Sequence, residues 1–234
     1  QAQYTGFKNR ILNGNMVIDQ RNAGASVTIG AGDQYILDRW FASASATPRI
    51  SAQQSTTAPA GFTNSLLITS LAATTPGTSD QYRLEQKIEG FNVADLGWGT
   101  ANAATVNLSF VVRSSLTGAF GGALVNSAGN RSYPFSFSIS AANTFETKTI
   151  TIPGDTTGTW LTTNGNGISV RFSLGVGSTF QGTANAWVAG NFISVTGAVN
   201  VVATNGATFY ITGVQLEKGS TATSFDYRPY GTEL

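Results

Sequence analysis

The chain has 234 residues, 13 Lys and Arg against 12 Asp and Glu, and charged residues make up only 11% of it. It contains neither cysteine nor histidine, which excludes disulfides, thiolate metal sites and any catalytic triad or zinc site that needs an imidazole. The basic residues are scattered singly and no apolar stretch approaches the roughly 20 residues of a membrane span, so the sequence predicts neither a nucleic-acid partner nor membrane insertion.

Apolar and polar residues alternate along much of the chain, whereas no long window has the spacing of an amphipathic helix. The alternation is clearest from Thr105 onward, and each run is bounded by Gly, Asn, Pro or Ser, which are typical of turns. In chain order, the predicted strands lie near residues 16–21, 37–45, 49–54, 65–70, 81–88, 105–113, 135–139, 147–152, 168–174 and 209–216.

Local signals predict shorter features between and within these strands. Residues 93–98 indicate a single helical turn that Gly97 would end, and Gly213 indicates a β-bulge in the last strand. Trp40 lies in an apolar strand and is predicted to belong to the core. Loops rich in glycine and threonine are predicted at residues 74–79, 118–122, 155–159 and 178–185.

Many short strands without helices are typical of an all-β fold made of two packed antiparallel sheets, a β-sandwich or jelly roll. We therefore predict that residues 1–234 form a single sandwich domain ending in a short aromatic tail, residues 220–234. The first and last strands of such sandwiches often pair, so we expect the two ends of the chain to lie close together. The sequence starts at Gln1 rather than Met, and we expect further residues to precede it.

The carboxylates are too sparse and too far apart to predict an enzyme. Glu85 and Glu89 would share one face of a strand at a separation of roughly 13 Å, whereas a glycosidase needs two carboxyl groups about 5–10 Å apart. We expect them to form surface or cross-strand ion pairs, for example with Arg83 or Lys87. The sequence therefore predicts a protein that binds without turnover.

Three tryptophans at loop-like positions are the candidate ligand-binding residues: Trp98, Trp160 and Trp187. Sugar rings stack on tryptophan through their C–H faces, and the many Thr, Ser, Asn and Gln side chains of the chain suit hydroxylated ligands. The alternative is that these side chains close the open ends of the sandwich core. The sequence leaves both interpretations open.

The aromatic tail carries four candidate subunit-contact residues: Phe225, Tyr227, Arg228 and Tyr230. An isolated tail of this composition would expose an apolar patch. One interpretation folds the tail back onto its own sheet. The other packs it against a neighbouring subunit, with Arg228 forming hydrogen bonds across the interface.

Ordered motifs along the chain carry a resemblance to a known family. They are Asn-Arg-Ile-Leu-Asn-Gly-Asn-Met at 9–16, Ile-Asp-Gln-Arg at 18–21, Leu-Asp-Arg-Trp at 37–40, segments within 84–90, 109–114 and 149–155, and the closing stretch 211–228. This set resembles a jelly-roll module common in bacteriophage tail fibres and other virion appendages. The resemblance implies a virion protein, usually a homotrimer, that binds a surface or another virion component.

The two ends of the chain also resemble those of galactose-binding-like carbohydrate modules. In that family a structural calcium often joins the first and last strands, which here would implicate Asn13, Asn15 and Glu217 as ligands. The acidic ligand that the family carries near its last strand has no counterpart in this sequence. The alternative is a simple turn at Asn13-Gly14 and an ion pair between Glu217 and a nearby arginine. No other cofactor is predicted.

Three functions follow from these patterns. The first is a tail-fibre or fibre-tip module on the exterior of a phage particle, which binds a host-surface glycan. The second is a capsid decoration or head-fibre protein that holds neighbouring virion subunits together. The third is a secreted carbohydrate-binding module, which would act as a monomer.

Overall fold

A computed structural model describes residues 7–233 of the chain. The expectation that further residues precede Gln1 lies outside this range, as do the first six residues and Leu234 of the predicted domain. Short 3-10 turns lie at Gly90–Asn92, Ala94–Leu96, Ser178–Phe180 and Val201–Ala203, and a final helical turn, α1, spans Tyr230–Glu233. None of the helices within 7–233 has the length and apolar character that crossing a membrane requires.

The described residues form fifteen strands. They are β1 (Val27–Thr28), β2 (Gly32–Leu37), β3 (Trp40–Ala44), β4 (Ile50–Ser55), β5 (Ser65–Ser70), β6 (Gln81–Glu89), β7 (Val106–Ser114), β8 (Gly118–Asn126), β9 (Arg131–Ile139), β10 (Glu146–Ile152), β11 (Asn166–Val176), β12 (Gln181–Gly182), β13 (Val188–Ala189), β14 (Ser194–Val195) and β15 (Thr208–Lys218).

Two antiparallel sheets account for most of these strands. The six-stranded sheet has the order β1-β4-β5-β15-β7-β10, and the seven-stranded sheet has the order β13-β9-β8-β11-β6-β3-β2. Aromatic residues join the layers edge to face, as between Phe110 of β7 and Phe172 of β11, whose ring centroids are 5.0 Å apart. The predicted all-β, two-sheet antiparallel sandwich is confirmed.

Three of the predicted elements differ from the structure. Residues 16–21 are not a strand, because the Asn13 carboxamide takes up both backbone groups of Ile18, with Oδ1 accepting from its N–H at 3.0 Å and Nδ2 donating to its carbonyl at 2.9 Å. The run 37–45 is interrupted at Arg39, whose φ of 72° allows a tight hairpin between β2 and β3. The predicted loop 118–122 is instead the start of β8.

The glycines of β8 explain why that strand does not resemble one in sequence. A Cβ atom on Gly121 would lie 2.1 Å from the hydroxyl of Ser194, and one on Gly122 would lie 2.4 Å from the Phe135 ring. Glycine is therefore required here by the close approach of other segments, and it is compatible with a strand when such contacts supply the packing. The glycines that predicted a loop at residues 118–122 are present because neighbouring segments pack closely against this strand.

The first described segment runs along the last strand. The backbone N–H of Arg10 donates to the carbonyl of Leu216 at 2.8 Å, and the N–H of Val214 donates to the carbonyl of Gly14 at 3.0 Å. Just before Val214, Gly213 has a φ of 60°, and the register of β15 shifts between Thr212 and Gln215, so the predicted bulge is confirmed. The predicted proximity of the two chain ends holds for the described residues.

Two local predictions are also confirmed. The turn Ala94–Leu96 ends at Gly97, which has the left-handed φ of 61° expected of a helix-ending glycine. Trp40 is fully buried, and its indole N–H donates to the carbonyl of Asn13 at 3.1 Å. Whether residues 1–234 form one domain stays a prediction.

Candidate ligand-binding groove

A long excursion, residues 177–200, crosses the outer face of the seven-stranded sheet after β11. Three backbone N–H groups of the excursion donate to carbonyl oxygens of β8, β9 and the turn between them. They are Asn185 N–H to the Pro134 carbonyl at 2.8 Å, Gly190 N–H to the Asn130 carbonyl at 2.9 Å, and Val199 N–H to the Ala119 carbonyl at 2.7 Å. Its strand β13 pairs with β9, and its strands β12 and β14 pair with each other in parallel. These contacts hold the excursion at a fixed distance from β8 and β9.

A groove of about 630 Å³ lies between this excursion and the sheet. Such a volume is within the range of about 300–1,000 Å³ that is typical of small-ligand sites. None of the side chains that line the groove is charged. They are Ala119, Ser136, Gln181, Gly182, Thr183, Ala184, Val188, Ala189, Phe192, Val195 and Thr196.

The aromatic ring of the groove, Phe192, is held by glycines and by a serine. A Cβ atom on Gly182 would lie 2.8 Å from the ring, and one on Gly190 would lie 2.7 Å from it, so only glycine leaves room at both positions. The Phe192 backbone N–H donates to Ser132 Oγ at 3.1 Å. The close approach of the two glycines and the backbone hydrogen bond therefore fix the position of the Phe192 ring.

The polar groups of the groove are neutral hydrogen-bonding groups. Thr183 and Thr196 are exposed, and Ser136 is half-buried. Gln181 donates through Nε2 to the carbonyl of Val176 at 3.1 Å, which leaves its carboxamide oxygen as an acceptor. Hydroxyl and amide groups beside an aliphatic and aromatic wall suit a ligand that has both an apolar face and hydroxyl groups.

A buried charged cluster lies beside the groove on the same face of the sheet. Glu85 is fully buried and accepts hydrogen bonds from Arg83 Nε at 2.7 Å and from Arg171 Nε at 3.0 Å. The predicted pairing with Arg83 is confirmed, but the pair is buried rather than at the surface, and the cross-strand partner is Arg171. Arg171 also donates to Asn191 Oδ1 at 2.6 Å. Burial lowers the pKa of Arg171, and the nearby Glu85 charge opposes that shift. The guanidinium groups are thus engaged with the protein itself.

Glu89 does not pair with Arg83 or Lys87. Glu89 forms its ion pair with Arg39, which lies in the turn between β2 and β3. Burial raises the pKa of Glu89, but hydrogen bonds from Arg39, from its own backbone N–H and from Asn92, together with the Arg39 charge, lower that pKa below its ordinary value. Both glutamates of β6 therefore act as ion-pair partners.

The three candidate tryptophans come together at one end of the sandwich. The ring centroids of Trp98 and Trp160 are 4.7 Å apart, and each lies 5.2 Å from that of Trp187, all edge to face. Trp98 and Trp160 belong to the core, at 7% and 9% exposure, and Trp187 is half-buried against it. This arrangement matches the alternative in which tryptophans close the sandwich end; ligand stacking by them stays a prediction.

An ion pair anchors this tryptophan cluster. Asp155 is buried and accepts from Arg131 Nε at 2.8 Å and Nη2 at 2.7 Å, and also from the Trp160 indole N–H at 3.2 Å. Burial would raise the pKa of Asp155, but hydrogen bonds from Arg131 and from the Thr157 backbone, with the Arg131 charge, hold it below its usual value. Asp155 is therefore ionised at neutral pH and structural.

The aromatic tail folds back onto the chain that carries it. The Phe225 and Tyr227 rings pack on Phe62 at centroid distances of 5.3 and 5.7 Å. Arg228 pairs with Glu233 at 3.0 Å and donates to the carbonyl of Asn9. Tyr227 and Tyr230 nevertheless remain 55% and 56% exposed. Phe225 and Arg228 thus contact their own chain, as in the fold-back interpretation. Contact of the tail with another subunit stays a prediction.

The three residues predicted as calcium ligands, Asn13, Asn15 and Glu217, have different neighbours in the structure. The Asn13 carboxamide is hydrogen-bonded to the backbone N–H and carbonyl of Ile18, and its nitrogen also donates to the carbonyl of Asp38 at 3.0 Å. Both oxygens of Glu217 accept hydrogen bonds from Thr223, at 2.8 Å, so Glu217 does not pair with an arginine. Asn15 lines a separate small pocket with Tyr230. These donors do not fit one shared calcium ion, which needs six to eight free oxygens.

No group of three or more acidic side chains within 7–233 is placed to hold a metal ion. Asn13-Gly14 does form a turn, in which the Met16 N–H donates to the Asn13 carbonyl at 3.1 Å. Gly14 is required there, because a Cβ atom would lie 2.2 Å from the carbonyl oxygen of Val214. The opening motif is therefore accounted for by its contacts with β15.

Comparison with known proteins gives similarity at the level of fold. No family model matches the chain, and no curated protein matches it. A candidate sugar binding protein from Bacteroides thetaiotaomicron is 12% identical over 91% of this chain and 100% of its own, with a TM-score of 0.51. At this identity the match shows a shared β-sandwich fold.

Two further solved structures have lower similarity. The enzymatically active domain of tailspike protein 4 from bacteriophage CBA120 is 12% identical, with a TM-score of 0.47; the match covers 90% of this chain and only 21% of the tailspike chain. A family 11 carbohydrate-binding module of a cellulosomal cellulase from Clostridium thermocellum is 13% identical over 83% of this chain and 99% of its own, with a TM-score of 0.39.

Sequence reasoning missed the groove. Its side chains come from β8, β9 and the excursion, which the chain brings together only through the sheet pairing. One local signal was available: the segment 178–185 is a polar loop directly after a long apolar strand. Its aromatic residue, Phe192, lies outside that segment and shows no stacking motif in sequence.

Proposed function

We propose that this chain is a glycan-binding module that does not cleave its ligand, and that it serves on a bacteriophage virion as a tail-fibre or fibre-tip module for host-surface recognition. The observation that carries the proposal is the groove of about 630 Å³ on the outer face of the seven-stranded sheet. It combines the Phe192 ring and an aliphatic wall with the hydroxyls of Ser136, Thr183 and Thr196. A sugar has matching C–H faces and hydroxyl groups.

The site binds without turnover because its neighbouring acids are engaged elsewhere. Glu85 is held between two guanidinium groups, and Asp155 is held bidentately by Arg131. A glycosidase needs one carboxylic acid that remains protonated near neutral pH and faces the scissile bond. Neither carboxylate is among the side chains that line the groove.

The virion part of the proposal rests on the ordered motifs and on the tail. The opening and closing motifs contact each other directly, through the hydrogen bond between Arg10 and Leu216. The exposed rings of Tyr227 and Tyr230 offer a contact surface for two further copies in a homotrimer. Three weak sites on one fibre tip would then act together and raise the overall affinity for a repetitive surface.

The glycan proposal is tested on an array of host-surface polysaccharides with the assembled protein. Thr183→Trp fills the groove from an exposed position, and Thr149→Trp places the same ring on an exposed position of β10 in the other sheet. We expect the first variant to lose glycan binding and the second to retain it. Equal binding by both variants would contradict the groove as the site.

The virion proposal needs separate measurements. Sedimentation should give a stable trimer, and a density map of the intact particle should place the chain at the fibre tip. A chain located on the capsid surface would favour the decoration or head-fibre function. A monomer that binds soluble polysaccharide would favour a secreted carbohydrate-binding module.

A further inference from the structure

Resting on the proposed glycan function, we infer that the groove selects uncharged glycans and rejects those that carry carboxylate, phosphate or sulfate groups. All eleven lining residues have neutral side chains. An anionic sugar seated there would lose water around its charge and gain no cationic partner. Removing an unpaired ion from water is strongly unfavourable, whereas a hydroxyl or acetamido group finds neutral partners in Ser136, Gln181 and Thr196.

The arginines nearest the groove do not alter this inference. Arg171 on β11 is bound to Glu85 and to Asn191, and only 11% of its side chain is exposed. Arg131 at the start of β9 is bound bidentately to Asp155. Recruiting Arg131 to a ligand would leave the buried Asp155 without its partner, which is strongly unfavourable. Recruiting Arg171 would break its hydrogen bonds to Glu85 and Asn191. Both guanidinium groups are therefore already engaged by side chains of the protein.

The experiment compares one acidic polysaccharide with its own carboxyl-reduced form, in which each uronic acid becomes a neutral hexose. Titration calorimetry with the full chain should give at least about tenfold tighter binding to the neutral form. Affinity for the neutral form should change little between ~0.05 and ~0.5 M salt, because no ion pair is screened. Tighter binding of the acidic form, lost in Thr183→Trp, would overturn the inference and leave the glycan proposal standing.

A gain-of-function variant makes the test independent of lost binding. Thr183→Lys adds a cation to the groove and should raise affinity for the acidic form several-fold, while Thr149→Lys on β10 should not. If Thr183→Lys leaves the preference unchanged, the neutral lining does not determine selection and the inference is wrong. Failure of the wild type to bind either form, or any other glycan, would instead refute the proposed function itself.

Discussion

The carboxamide oxygen of Asn9 accepts a hydrogen bond from the backbone N–H of Leu216 at 3.0 Å, across 207 positions of the chain. The same oxygen accepts from the Ile11 N–H at 3.0 Å, and the amide nitrogen donates to the Val214 carbonyl at 3.1 Å. Asn9 is buried, so these bonds are shielded from water. One side chain of the opening motif thus satisfies a backbone group of Val214, within the bulge of β15, and one of Leu216, just after it.

Asn9→Ala should therefore destabilise the fold by about 3 kcal/mol, because it leaves three buried backbone groups without partners. Urea unfolding of wild type and variant measures the difference. Asn102→Ala is the matched control, since Asn102 is exposed in the loop before β7. Equal unfolding midpoints for the two variants would mean that Asn9 does not join the ends of the chain.

Gly14→Ala should lower stability by about 1–3 kcal/mol through overpacking. Its Cβ atom would lie 2.2 Å from the carbonyl oxygen of Val214, which is fixed in β15. Gly30→Ala is the control, because a Cβ there would meet nothing nearer than the Gln34 side chain at 3.8 Å. A thermal melt that shifts equally for both variants would contradict this close approach.

Asp155→Asn should cost about 3 kcal/mol, because it removes one partner of a buried ion pair and a hydrogen-bond acceptor of Trp160. The measurement is urea unfolding followed by tryptophan fluorescence, which reports the cluster around Trp160. Glu146→Gln, at the half-buried ion pair with Lys148 on the edge strand β10, should cost less. A larger loss for Glu146→Gln would show that Asp155 is not the anchor.

The same carboxyl group predicts a pH dependence. The pKa of Asp155 in the folded chain lies below its ordinary value of 3.8, so its contribution to stability is present above that pH and is lost as the pH falls toward the folded value. Glu146, whose pKa the Lys148 ammonium lowers to about 2, adds to the same acid slope. Wild type should lose stability below about pH 4 more steeply than Asp155→Asn. Identical slopes would contradict the Arg131 pairing.

The tryptophan cluster should act on stability rather than on binding. Trp160→Phe removes the indole N–H bond to Asp155 and an edge contact with Trp98, and we expect a cost of about 1–3 kcal/mol. Glycan affinity measured by calorimetry at a temperature where the variant is folded should stay within about twofold of wild type. A tenfold loss of affinity without loss of stability would make the cluster the ligand platform.

The strands could be predicted where the sequence pattern itself carries the information. β5 has the predicted bounds, and β7, β10, β11 and β15 differ only at their ends, because alternating apolar residues face one sandwich core. The bulge at Gly213 was predictable because glycine interrupts that alternation. In contrast, Ile18 and Gly121 were misjudged since their conformations depend on distant partners, Asn13 and Ser194.

The candidate site was less predictable than the fold. The tryptophans could be grouped as loop residues, but their burial depends on how three loops meet at one end of the sandwich. The groove needs the pairing of β8 with β9 and the path of residues 177–200 over both strands. No local pattern specifies that path. The neutral character of the lining becomes visible only when those segments are brought together.

The most direct test is a crystal structure of the chain with a neutral oligosaccharide that the array identifies. We expect the sugar in the groove between the excursion and β9, with one ring face against Phe192 and hydroxyls bonded to Thr183 and Gln181. A sugar bound instead at Trp187 or along the exposed tail, with the groove unchanged, would contradict the account.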